Sequence, residues 1–446
     1  MKILKHILNL SIHEKELLKG SFEAIVFKIG GLFIGYVFIM FLSRNYGAAT
    51  VGVYQLFVQS IGILGMVALF GFNQSIIRFS SELIARNNIS ELKFILKKFI
   101  LITVFISLVI SSIAYVWASD LAALFLKDEN LQYIFEVIAF TLPLFAINIL
   151  FVETIRGFKK VKVSEFLRLF FTKFLTLLIF LSILTSIQFN LSLPIISYSI
   201  ATILTLILSS YFLIKYLKKY SKNAVAEVVN SVKNRYISTS FTMYQSILLM
   251  TISNQLIIFI LAYYTEPASV GIYNVAYQLA ALSTFVFSAV VTITAPKYSE
   301  LFHNSSREIF QQTVLFSSKL IFWTTGSIAI LTIIFSSWLM SMFGDEFISG
   351  SVILILLSIG NFINAFTGPG GLLLDMTGRQ SVRRNITFLG IFITLPLSFF
   401  FIPTYGAIGL ASLLLINKII CNFTSVYYIK NSLGIKIIYI PFLNKL

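Results

Sequence analysis

The sequence predicts an all-α membrane protein, twelve transmembrane helices in two parallel six-helix lobes. Three observations carry that fold class. The 446-residue chain is 57% hydrophobic and 12% charged, with a mean hydropathy of +0.90, whereas soluble chains carry about twice that charge fraction. It divides into apolar runs long enough to cross a bilayer, whose roughly 30 Å core takes about 20 helical residues. And one long segment recurs. Val51–Phe79, VGVYQLFVQSIGILGMVALFGFNQSIIRF, lines up without a gap on Val270–Tyr298, VGIYNVAYQLAALSTFVFSAVVTITAPKY, 219 positions later. Gly52 falls on Gly271, Tyr54 on Tyr273, Gln59 on Gln278 and Arg78 on Lys297. A period of that length is far beyond a solenoid unit and reads as duplication of a whole membrane lobe.

The spans are placed at 22–42, 51–72, 99–118, 132–152, 167–187, 191–214, 239–263, 270–294, 319–340, 351–374, 386–402 and 406–429. Of the 34 Lys and Arg, 29 fall in the alternate set of loops that includes both termini; Arg44 and Lys127 fall in the opposite set, and Lys28, Lys173 and Lys418 inside spans. Basic loops stay in the cytoplasm, so both termini are expected there. Residues 215–238, the longest polar connection, separate an N-terminal lobe (1–214) from a C-terminal lobe (239–446). Each lobe starts on the same side, so the repeats run parallel, about an axis along the membrane normal. The second span of each lobe is expected to face the other across a central cleft. The outer loops are short, the longest being 119–131, which excludes an extracytoplasmic catalytic domain. The first span serves as an uncleaved insertion signal. Gly31 and Gly35, four apart, suit close helix contact. Gly368-Pro369-Gly370 interrupts the tenth span and predicts a break or kink there.

The net charge of +16 does not point to nucleic acid, because the basic residues sit in short loops between apolar runs. The single cysteine, Cys421, allows neither an intrachain disulfide nor a multi-cysteine metal site. Three scattered histidines form no metal set. GxxxxGK[ST], HExxH, CxxC and GxSxG are all absent. No catalytic residue, cofactor or metal is assigned.

Charges inside spans are the sharper signal, since a charge at the bilayer centre costs at least about 2.5–3.5 kcal/mol and tends to face water or a partner. Lys418 lies midway along the last span, beyond the reach of snorkelling. Lys28 and Lys173 lie nearer the cytoplasmic ends of theirs, where snorkelling is an equal alternative. Arg44, at the outer mouth, suits either lipid phosphate or substrate passage. Polar rows add amides: Gln55, Gln59 and Asn73 in the second span, Asn274 and Gln278 in the eighth, Asn254 and Gln255 in the seventh. Interhelical hydrogen bonding explains any one of them. Together, amides that match hydroxyls and lysines that match phosphate suit a hydroxyl-rich anion such as a sugar phosphate.

The first two spans, KGSFEAIVFKIGGLFIGYVFIMFLSRNYGAATVGVYQLFVQSIGILGMVALFGFNQSIIRFSSEL, with the duplicated twelve-span plan, resemble the multidrug/oligosaccharidyl-lipid/polysaccharide exporter superfamily. Within it the resemblance is to the polysaccharide-transport branch, the flippases of O-antigen and capsule repeat units. It implies a MATE-like V-shaped pair of lobes, alternating access, and residence in the bacterial cytoplasmic membrane. The implied substrate is an oligosaccharide on undecaprenyl diphosphate, turned from the inner to the outer leaflet. Membrane lipids and the polysaccharide polymerase machinery are the other partners it suggests. It also implies a cationic central cavity, for which Lys28, Arg78, Lys297 and Lys418 are the candidates. The cation-coupling acids of the drug-exporting branch have no clear counterpart, so coupling to H+ or Na+ stays open. A drug or cation exporter of the same fold and a membrane enzyme of polysaccharide assembly are the rival classes.

Overall fold

The computed structural model describes residues 12–185, 188–221, 233–251, 255, 257–304 and 307–441. The described residues are 91% helix, with no strand among them. Hydrocarbon offers no water to backbone groups, so an apolar chain must satisfy them within each segment, as helices do. Nine helical stretches among the described residues are long and apolar enough to cross a membrane. Two of them are broken by a kink at a glycine. Helix α1 (Ile12–Leu69) turns at Gly47 (φ 79°, ψ 176°), between the expected first and second spans. The last long helix turns at Gly406 (φ 54°, ψ −132°), where the twelfth span was expected to begin.

The remaining helices follow in order. After α1 come α2 (Phe72–Ala85), α3 (Ile89–Val116), α4 (Ala118–Leu126), α5 (Gln132–Gly157) and α6 (Val161–Glu165). A π turn, Phe166–Phe171, leads into α7 (Thr172–Leu184), then α8 (Leu193–Ser221), α9 (Lys233–Thr251) and α10 (Ile257–Tyr264). Helices α11 (Pro267–Asn304) and α12 (Arg307–Ile321) precede a second π turn, Phe322–Gly326. The chain closes with α13 (Ser327–Ile334), α14 (Ser336–Ser341), α15 (Ser351–Thr367), α16 (Gly370–Met376) and α17 (Gln380–Leu433). The expected seventh span falls on α9 and α10, apart from 252–254 and 256, which lie outside the described residues.

Contacts divide the chain into two compact units, Met1–Phe41 with Tyr54–Gln255, and Leu42–Val53 with Leu256–Leu446. The described residues of 215–238 fall in the first unit together with the rest of α9, and side-chain packing ties them there. Helix α9 is tied to α2 and α3: Ser75 and Ser240 hydroxyls share a 2.6 Å hydrogen bond, and the Tyr236 hydroxyl donates to Glu91. Phe70 stacks on Phe241 and Tyr244. Glu91 is itself fixed by the N-cap of α3, where Asn88 accepts from the Glu91 amide at 3.1 Å and donates back to its carboxylate at 2.9 Å. The core of the first unit gathers Phe72, Phe79, Leu92, Phe99, Leu150 and Phe158, with Phe72 stacked on Phe99 at 4.0 Å. In the second unit α15 lies between α11 and α17.

The turn of α1, Leu42–Val53, is held in the second unit by polar contacts. Arg44 Nε donates to the Met342 carbonyl at 2.7 Å, and the Ala48 amide donates to Glu346 at 2.9 Å. Many large apolar side chains, Phe33, Phe105, Phe140 and Phe392 among them, point outward. That is the arrangement of a protein whose solvent is lipid.

The expected glycine contacts are present. A Cβ on Gly31 would stand 2.0 Å from the Leu169 carbonyl oxygen, so only glycine admits that approach of α1 to the chain after α6. The Gly-Pro-Gly break is also present. Helix α15 stops at Thr367, Gly368 takes φ 75°, and α16 starts at Gly370.

The two repeats differ at one point. In the first, the helix breaks after Leu69 at Phe70 (φ 47°) and Gly71 (φ 78°). In the second, α11 runs unbroken through the equivalent residue, Val290, which cannot take that left-handed backbone cheaply. Asn73 therefore sits on α2, out of helical register with Gln55 and Gln59. The single polar row expected along the second span does not extend that far.

Candidate functional site

The duplicated segments meet each other within the second unit. A Cβ on Gly52 would stand 1.8 Å from the Pro267 carbonyl oxygen and 3.1 Å from the Gly271 nitrogen. A Cβ on Gly271 would stand 2.2 Å from the Ala48 carbonyl oxygen and 2.8 Å from the Gly52 nitrogen. Ala48 and Pro267 are themselves 219 apart, so the contact is reciprocal: each repeat presents the same two positions to the other. The helices cross backbone to backbone there because both crossing residues lack a side chain.

Deeper in the second unit the interior turns polar. Lys418 on α17 donates through Nζ to Asn361 Oδ1 on α15. Asn361 is 4% exposed, and its Nδ2 donates to the Ala280 carbonyl of α11 at 2.7 Å. Thr284 approaches the same Oδ1 at 3.5 Å. Gly360 clears space for the lysine stem, since a Cβ there would stand 2.9 Å from Lys418 Cδ. One turn further along α17, Asn422 donates to the Lys418 carbonyl at 2.8 Å and accepts from Thr367 at 3.2 Å. Three helices thus place one cation, four amide or hydroxyl side chains and a glycine gap inside an apolar bundle. Next to Asn422 lies a cavity of about 320 Å³ bounded by the Gly-Pro-Gly break.

The other expected residues are distributed between the units. In the first, Lys28 and Arg78 are exposed, and Gln55, Gln59, Asn73 and Gln255 are half-buried. In the second, Asn274 is buried and donates to the Val270 carbonyl of its own helix at 2.8 Å, while Gln278 is half-buried. Lys297 is exposed and pairs with Glu300 at 3.1 Å, a surface bridge of the kind worth about 0–1 kcal/mol. Arg44 is exposed and its Nε is occupied by the Met342 carbonyl. Asn254 lies outside the described residues. Lys418 is joined to none of these; its partner is Asn361.

Asn361, Asn364, Thr367 and Asn422 were not singled out from the sequence. The signal existed: Asn361 and Asn364 are one turn apart on α15, and Lys418 and Asn422 one turn apart on α17. A second polar cluster was also missed. In the first unit Glu153 and Glu165 are buried, and Arg168 holds Glu165 by two 2.8 Å bonds and approaches Glu153 to 3.8 Å. Arg156 adds a 3.6 Å contact to Glu153. Two Glu-x-x-Arg spacings announce this cluster, and its carboxylates are compensated.

Residues 17–302 match the family model described as polysaccharide biosynthesis protein. The chain belongs to that family. An uncharacterized membrane protein of Methanocaldococcus jannaschii is 22% identical over 400 residues, 85% of this chain and 77% of that protein. Among solved structures, the lipid II flippase MurJ in an inward closed conformation matches at a TM-score of 0.68 and 15% identity, covering 93% of this chain and 87% of that one. An inward-facing multidrug resistance MATE transporter of the MOP superfamily matches at 0.69 and 12% identity, covering 87% and 93%. At such identities these two likenesses show the fold alone, all-helical and like that of the MurJ and MATE structures. The chain is a multi-pass membrane protein.

Proposed function

We propose that this protein is a flippase that turns oligosaccharide repeat units on undecaprenyl diphosphate from the inner to the outer leaflet, by alternating access. The products would serve O-antigen, capsule or exopolysaccharide assembly in the bacterial cytoplasmic membrane. Twelve spans, cytoplasmic termini and hand-over to a polysaccharide polymerase belong to the same reading. One observation carries it: in a member of a polysaccharide biosynthesis family, an intramembrane lysine is held by an interior amide, not by a carboxylate. No carboxylate pairs with Lys418 among the described residues, so an anionic headgroup would supply the counter-charge this site lacks. The physical need is clear, since each unpaired hydroxyl entering hydrocarbon costs roughly 4–8 kcal/mol on cyclohexane scales. Unassisted flipping of a headgroup with many hydroxyls is negligible.

The rival reading is a drug or cation exporter, multidrug transport being what is printed for the MATE structures; moving a cation would be served by uncompensated interior acids. The buried Glu153 and Glu165 are neutralised by arginines. The test is reconstitution in proteoliposomes. Lipid-linked oligosaccharide should become accessible to a membrane-impermeant oxidant or glycosidase in the opposite leaflet, and a cationic dye should not be moved. Transport of the dye without the lipid-linked sugar would replace this reading with the exporter one.

A further inference from the structure

The cavity beside the Gly-Pro-Gly break has chemistry distinct from that of Lys418. Its volume, about 320 Å³, is at the small end of ligand pockets, about 300–1,000 Å³, and suits one ring-sized polar group better than a long chain. Gly370 and Gly371 form one wall with bare backbone, and the Phe287 ring forms part of another. The polar groups are Asn364, Thr387, Asn422 and Ser425.

Charge decides which ligand fits. Arg383 is the cation of the lining, and it is bonded to Asp375, so the cavity offers no uncompensated positive charge. A phosphate would find little there. What remains is neutral: two amides that donate and accept, two hydroxyls whose protons go to carbonyls of their own helix and which can accept, and one aromatic ring. Asn364 is the most available of them, because among the described residues nothing bonds its side-chain amide. Asn422 is spent on Lys418 and Thr367 by one bond from each end of its amide, which leaves one N–H and one lone pair. A hydroxyl-rich ring with one apolar face meets these requirements.

We propose that this cavity is a sugar-binding subsite of the second unit. It takes the hydroxyl or acetamido groups of one sugar ring, with Asn364 and Asn422 as the polar contacts and Phe287 against the apolar face of the ring. The inference rests on the flippase reading and deepens it, because Asn422 lies one turn from Lys418. A sugar in the cavity would thus sit next to a cation suited to the phosphate that carries it.

Cys421 lines the same cavity and is the sole cysteine of the chain. It reports occupancy without any engineered residue. The purified protein is labelled with a small water-soluble thiol reagent, with and without a panel of free hexoses, N-acetylhexosamines and hexuronates. The expected result is that a neutral sugar slows labelling, by about tenfold at roughly ten times its Kd, whereas inorganic pyrophosphate does not. Asn364→Ala should abolish that protection while Cys421 labels at its sugar-free rate, a rate that also shows the variant is folded. In proteoliposomes, lipid-linked oligosaccharide should protect without added sugar, and polyprenyl diphosphate lacking sugar should not. Three outcomes overturn the proposal: protection by pyrophosphate or bare polyprenyl diphosphate, labelling that no sugar slows, or a Cys421 that reacts only after denaturation. Translocation assayed on the same preparation separates the two claims. Protection without translocation defeats the flippase reading alone, and translocation without protection defeats the subsite alone.

Discussion

Asn361 holds Lys418 in a fixed geometry. Its Nδ2 is spent on the Ala280 carbonyl, so its Oδ1 is left to face the ammonium group. Breaking such a site by truncation mixes two effects, loss of charge and loss of packing against Gly360. Lys418→Met separates them, since methionine fills most of the stem's volume and carries no charge. A lysine at the centre of a membrane helix costs about 2.5–3.5 kcal/mol on insertion scales, and replacing buried charge by a well-packed apolar group is often neutral or stabilising by about 1–4 kcal/mol. The methionine variant should therefore melt at the wild-type temperature or above it in detergent, yet lose translocation in proteoliposomes. Wild-type translocation by that variant would reduce Lys418 to a packing residue. Asn361→Leu should behave differently, melting lower because the buried ammonium and the Ala280 carbonyl both lose a partner, by about 1–3 kcal/mol. At this scale the sequence was half legible. A lone lysine amid LLLIN and IIC stands out, but asparagines on an apolar helix read as ordinary interhelical glue. Only the fold reveals that α15 and α17 bring them together. The same limit applies to Lys297, whose surface pairing with Glu300 is invisible in the alignment of repeats that matches it to Arg78.

Helices α1 and α11 cross where two glycines, 219 positions apart and paired in the repeat, lie against each other's backbone. Adding one methyl at either would place it about 2 Å from a carbonyl oxygen, far inside contact distance. Gly52→Ala and Gly271→Ala should each destabilise the folded protein by at least the usual cost of overpacking, about 1–3 kcal/mol. Because the contact is reciprocal, the double variant should cost less than the sum, since one separation of the helices relieves both clashes. Thermal melts of the three variants check this, and strict additivity would contradict the shared crossing. Gly71 sets a second constraint of backbone origin. Gly71→Ala should cost about 1–2 kcal/mol for the left-handed conformation alone, with more from a Cβ 2.3 Å from the Ser240 carbonyl. The repeat alignment identified both crossing glycines because identical residues 219 apart survive as a pair. It could not show the break at Phe70 and Gly71, because hydropathy runs smoothly through that point. What distinguishes Gly71 from Val290 is the backbone freedom of a single residue. The grouping of α9 with the first unit was not legible in sequence for a related reason: its hold there comes from Ser240, Phe241 and Tyr244, which look unexceptional in sequence.

For the molecule as a whole, the governing quantity is the charge that crosses the membrane. The fold class followed from composition and periodicity, because apolar runs of bilayer length have no alternative to helices. The electrical consequence follows from the proposed substrate. An exported diphosphate moves negative charge outward, and an interior-negative potential favours that movement by about 2.3 kcal/mol per elementary charge for each 100 mV. Two charges gain roughly twice this figure. A potential alone can thus bias the direction of flipping, without a proton or sodium gradient. Proteoliposomes loaded with potassium and given valinomycin allow the sign to be set at will. Translocation away from the negative side should accelerate as the potential grows and slow when it is reversed, with no pH or sodium gradient present. Indifference to the potential would mean that compensating cations travel with the headgroup. Coupling to H+ or Na+ would then be the mechanism to test, by imposing each gradient separately on the same vesicles.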